Sequence, residues 1–80
     1  MSELQVGNIL NYYLEEADSN YRTFDIYNFE INDNGEGVWN TDYSQVELEG
    51  EFGQKIITFN KDIKDLSLFD LRNAVKELCA

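Results

Sequence analysis

The sequence predicts an α+β fold: an N-terminal helix, an antiparallel β-meander of about four strands and a C-terminal helix, with both helices on one face of the sheet. Three observations predict it. Apolar residues recur at helical spacing near both ends, the middle is rich in aromatic and β-branched residues, and glycine-bearing turn signals divide that middle into two hairpins. Eighty residues suit one small domain, residues 1–80, with enough apolar and aromatic side chains for a core despite the charge.

Residues 3–17 form the first helix in this reading. Val6, Ile9, Leu10, Tyr13, Leu14 and Ala17 fall on one stripe, and Ser2 with Gln5 makes a capping box for the first amides. Tyr12 lies off that stripe and is expected outside. Gly7 costs the helix about 1 kcal/mol relative to Ala. Glu15, Glu16 and Asp18 crowd the carbonyl end, where the helix dipole disfavours negative charge.

Residues 21–31 read as a strand whose phase changes. Phe24 and Ile26 belong to one face and Tyr27, Phe29 and Ile31 to the other, so either a bulge near Ile26 or cover on both faces is required. Asn34-Gly35 suits a tight hairpin turn, after which Val38 to Tyr43 returns as a second strand with Trp39, Thr41 and Tyr43 on one face. Residues 46–52 alternate strictly, placing Val46, Leu48, Gly50 and Phe52 inward and Glu47, Glu49 and Glu51 outward. Gly53-Gln54 then fits a two-residue turn into a strand over residues 55–59. Ile63 and Leu66 anchor a polar connector. Ser67 caps a last helix with Asp70 at its third position, Leu66 stapling onto Leu71, and Leu68, Leu71, Ala74, Val75 and Leu78 buried.

Charge is distributed unevenly over these elements. Residues 1–53 hold twelve carboxylates against Arg22 alone, a net of −11; residues 54–80 hold five bases against four acids, a net of +1; together they give the −10 of the chain. Such a concentration opposes folding by self-repulsion, which points to solubility or to a basic partner. Direct nucleic-acid binding is disfavoured, because phosphate contacts need Lys and Arg clustered on one surface.

Several chemistries fall away. The chain has no histidine and one cysteine, Cys79, so it lacks the commonest general base, every His-containing triad, the usual zinc sets and any internal disulfide. Residues 32–37 resemble a calcium loop, but Gly35 or Gly37 at its sixth position puts Thr41 or Tyr43 where a bidentate Glu is needed. The acids alternate toward solvent rather than into an apolar pocket, which disfavours acid/base catalysis. No cofactor or metal is expected. The N-terminus has no secretory pattern and no apolar run reaches membrane-span length, so a cytoplasmic protein without membrane contact is expected.

The candidate partner-binding residues are Asp33, Glu36, Asp42, Glu47, Glu49 and Glu51, with Trp39 and Tyr43 among them as surfaces for Lys and Arg. Packing competes for Trp39, since a small core has use for the only tryptophan. In size, charge and missing catalytic groups the chain is similar to small acidic inhibitors encoded by bacteriophages, including anti-restriction and anti-CRISPR proteins, a likeness that transfers no residues. The expected function is a non-enzymatic inhibitor or adaptor that occupies a basic surface of a nucleic-acid-handling protein, its carboxylates standing in for phosphates as a DNA mimic. An immunity or antitoxin protein against a basic nuclease, or a small assembly protein, are the alternatives.

Overall fold

Ser2 and Ser67 start the two helices by the same device. In a computed structural model, which describes residues 1–28, 30–31, 37–38 and 44–80, each serine hydroxyl accepts the amide of the residue three ahead and that residue's side chain accepts the serine amide. The partners are Gln5 for α1 (Glu3–Glu16) and Asp70 for α2 (Leu68–Leu78), as the spacing predicts. α1 ends on Asp18 at φ 55, with the Ser19 amide donating to Leu14 O and the Asp18 amide to Glu15 O, which satisfies the last carbonyls.

Between the helices lie β1 (Arg22–Asn28), β2 (Glu30–Ile31), β3 (Gly37–Val38), β4 (Ser44–Gly50) and β5 (Gly53–Phe59). Among the described residues the main sheet is antiparallel with order β1-β4-β5, three strands where about four were expected. The stretch read as one strand over residues 21–31 divides into β1 and β2, and β2 pairs with β3 in a separate two-stranded ribbon. The Asn34-Gly35 turn and residues 39–43 lie outside the described residues.

The phase change in β1 is a bulge. Thr23 pairs with Leu48 and Asp25 with Glu47, leaving Phe24 as the extra residue, two positions before the expected site. Beyond it Ile26 faces the core side opposite Val46. Among the described residues β1 is an edge strand, so the alternative of a central strand covered on both faces does not hold there.

The second hairpin closes earlier than expected. Gly50 pairs with Gly53, so Glu51 and Phe52 form the loop and Gly53 opens the return strand at φ 138. A type II′ turn needs glycine at the first loop position, and Glu51 stands there. Phe52 therefore leaves the strand and is 89% exposed instead of buried, and Glu51 leaves the outward row.

One core joins the elements. Val6, Leu10 and Leu14 of α1, Val46 and Leu48 of β4, Phe59 of β5, Ile63 and Leu66 of the connector, and Leu71 and Val75 of α2 are buried together. Each such side chain contributes about 1.5–3 kcal/mol relative to exposure. Both helices thus bury their stripes against the sheet face that carries Val46 and Leu48. Leu68, expected in that stripe, is 54% exposed; the core at that end is filled by Leu66, which arrives from a 3₁₀ turn over Ile63–Asp65. Ala17 is exposed at the C-cap of α1.

Candidate functional site

The sheet face opposite the helices carries the outward side chains of all three strands. The register sets Arg22, Asp25 and Tyr27 of β1 beside Glu49, Glu47 and Gln45 of β4, and these beside Gln54, Ile56 and Thr58 of β5. Glu47 and Glu49 stand roughly 6.7 Å apart along β4. Asp25 lies directly opposite Glu47, an arrangement of like charges that destabilises a sheet.

Hydrogen bonds hold this face in order. The Tyr27 hydroxyl donates to Glu47 Oε2 at 3.4 Å, and it lies between that carboxylate and Asp25. The hydrogen bond to Asp25, together with partial desolvation and the two negative charges, holds the Tyr27 phenol above its ordinary pKa. Gln54 Nε2 donates to Glu49 Oε1 at 3.1 Å, and Gln45 Nε2 to Thr58 Oγ1 at 3.4 Å. At the hairpin tip Asn20 Nδ2 donates to Glu51 Oε2 at 3.2 Å. The acids are thus solvated by neutral donors.

Arg22 does not neutralise them. It faces Glu49 in register, yet its Nη1 donates to the carbonyls of Ser19 at 2.7 Å and Tyr21 at 2.6 Å. The ion pairs among the described residues, Lys61–Asp70 at 3.1 Å and Lys64–Asp62 at 3.4 Å, both lie beyond β5. Asp25, Glu47 and Glu49 form a solvent-facing patch of fixed negative charge with Glu51 at its end.

Known proteins add nothing to this picture. No family model, curated protein or solved structure matches the chain.

Glu47 and Glu49 share the outward face as the alternation requires, Glu51 stands at the hairpin tip, and Asp33, Glu36, Trp39, Asp42 and Tyr43 lie outside the described residues. Tyr12 is exposed, as its position off the α1 stripe requires. Asp25 and Tyr27 complete the patch and were not among the expected residues. Their signal was the phase change in β1: a bulge at Phe24 turns Asp25 outward, and nothing in the local sequence says which acid of β4 it meets.

Chemically the patch offers charge and hydrogen-bond acceptors. Its carboxylates face solvent rather than an apolar cavity, the setting that a proton-transferring carboxyl requires. No group of three or more Asp, Glu, Cys or His among the described residues is placed to hold a metal ion. No helix among them is long and apolar enough to cross a membrane.

Proposed function

We propose that the chain is a non-enzymatic inhibitor or adaptor whose outer sheet face binds a basic surface on a nucleic-acid-handling protein. The observation that carries this reading is the patch left without a counter-charge. Asp25 faces Glu47 across two strands at a cost to the sheet, while Arg22, the one nearby base, spends its guanidinium on backbone carbonyls. A face serving only solubility has no need to set two carboxylates directly opposite each other.

A basic groove built for phosphates presents Lys and Arg at spacings that carboxylates on adjacent strands can meet, and the net charge of −10 steers the encounter. Glu47, Glu49 and Asp25 carry the contact in this reading, with Glu51 and the exposed Phe52 at the rim.

The test is capture from host lysate with the wild type and with a triple variant, Asp25→Asn, Glu47→Gln and Glu49→Gln. The wild type is expected to retain a nucleic-acid-binding protein that added duplex DNA displaces and that the folded variant fails to hold. Equal retention by both proteins, or indifference to competing DNA, would remove the acidic face from the interaction.

A further inference from the structure

The two edges of the main sheet are treated differently. On β1 the ladder turns the amides of Thr23 and Ile26 away from β4, and both are taken: Thr23 N–H by Asn11 Oδ1 at 2.9 Å and Ile26 N–H by Asp25 Oδ1 at 2.9 Å. The bulge at Phe24 also breaks the repeat that an incoming strand would have to match. β5 has none of this. Its seven residues pair with β4 in an unbroken register that closes on Gly50 and Gly53, so Gln54, Ile56 and Thr58 direct their N–H and C=O groups outward. Among the described residues no side chain meets those amides. The chain has no proline to blunt the edge, and Lys55, the one charge of β5, rests over the Tyr21 ring at 5.5 Å.

We propose that β5 is a self-pairing edge: two copies of the chain join β5 to β5, antiparallel about a two-fold axis at Ile56, into one continuous six-stranded sheet. Three features name a second copy as the occupant. Among the described residues β5 is the only strand of the main sheet without a carboxylate, so two chains of net charge −10 that pair there set no acid against another across the new ladder, although Glu77 of α2 lines the groove beside Ile56 and Thr58. The two-fold sets Ile56, 62% exposed in the single chain, against its own copy. It also sets Gln54 opposite Thr58 on both sides, the amide–hydroxyl pair that Gln45 and Thr58 already make within the chain. Lys55 then falls opposite Ile57, so no like charges confront each other. The outward groups of three residues from each copy supply about six interchain hydrogen bonds.

In the paired sheet both acidic faces lie on the same side, with the two β4 strands about 14 Å apart at three strand spacings. Self-pairing does not depend on what those faces bind. The two ideas respond oppositely to salt: screening weakens contact with a basic partner and strengthens pairing between chains of like net charge.

Sedimentation equilibrium from about 10 μM to about 1 mM protein, in roughly 50 and 500 mM NaCl, tests the proposal. The wild type is expected to approach twice the 9.3 kDa of one chain, and to do so at lower concentration in the higher salt. Ile56→Lys, at an exposed position on the open edge, puts two like charges on the axis and should weaken association at least about tenfold. Phe24→Lys makes the same charge change at an exposed position on the guarded edge and should leave association unchanged. Circular dichroism confirms that each variant is folded, and the Gln54, Ile56 and Thr58 amides of the wild type should exchange more slowly as concentration rises. A wild type that stays at the mass of one chain throughout would overturn self-pairing. So would association that Ile56→Lys leaves intact or that Phe24→Lys abolishes.

Discussion

Gly7 and Gly50 are both glycines inside regular elements, and the space around them gives substitutions of opposite sign. A methyl group at Gly7 would lie 3.4 Å from Thr23 Oγ1, an ordinary contact, so the helix carries this glycine without a steric reason. Gly7→Ala is expected to raise stability by up to about 1 kcal/mol. At Gly50 the same methyl would stand 2.7 Å from the Tyr21 ring and 3.1 Å from Asn20 Oδ1. Gly50→Ala is expected to cost about 1–3 kcal/mol through overpacking. Urea midpoints of the two variants check both signs, and a stabilised Gly50→Ala would mean that Tyr21 is free to swing away. The helix penalty of Gly7 is legible in the sequence, but whether either position has room for a methyl group is not, because that depends on a neighbour distant along the chain. Arg22 shows the same limit: its number identifies it as the lone base among the acids, and only the fold shows it turned from Glu49 onto Ser19 and Tyr21.

Helix caps belong to the scale of elements, and they were legible because every group involved lies within four residues. In the α2 cap the Ser67 backbone amide, and after it the Lys61 ammonium, hold the Asp70 carboxyl below its ordinary pKa. A depressed folded-state pKa stabilises the fold fully above the unfolded value of about 3.9 and ceases to do so as pH falls through the folded value. Asp70→Asn should therefore lose stability relative to the wild type near neutral pH, and the gap should close toward pH 2. Thermal melts across that range measure it; a gap that is constant with pH would put the carboxylate's role elsewhere. Strands were read less accurately than helices. The alternation in β4 identified Val46, Leu48, Glu47 and Glu49 correctly, since it needs only a period of two. The bulge at Phe24, the loop at Glu51-Phe52 and the splitting of β2 from β1 arise from pairing across strands, which local pattern does not encode. For the same reason one acid of the patch escaped notice: Asp25 meets Glu47 from 22 residues away along the chain.

For the whole molecule the governing quantity is the net charge of −10 on eighty residues. With the ion pairs among the described residues confined to Lys61–Asp70 and Lys64–Asp62, the acids of the sheet repel one another largely through solvent, where salt screens them. Raising NaCl from about 20 to about 500 mM should raise Tm, by roughly 4–8 °C for each kcal/mol of repulsion relieved. Calorimetry at low protein concentration isolates this effect from association; a Tm that falls with salt would show that favourable surface pairs outweigh the repulsion.

The register of β4 also has a meaning in time. β4 meets β5 across the two residues Glu51 and Phe52, whereas β1 meets β4 only after the chain has left at Asn28 and come back at Ser44. Closing a longer loop costs about 0.6 kcal/mol more for every doubling of its length, and a short hairpin zips in about 1–10 μs. The β4–β5 hairpin is thus the kinetic template, and β1 docks onto a ribbon already made. During that interval the side of β4 that will receive β1, with Glu47 and Glu49 along it, is itself an open edge, and its carboxylates keep other chains from arriving first.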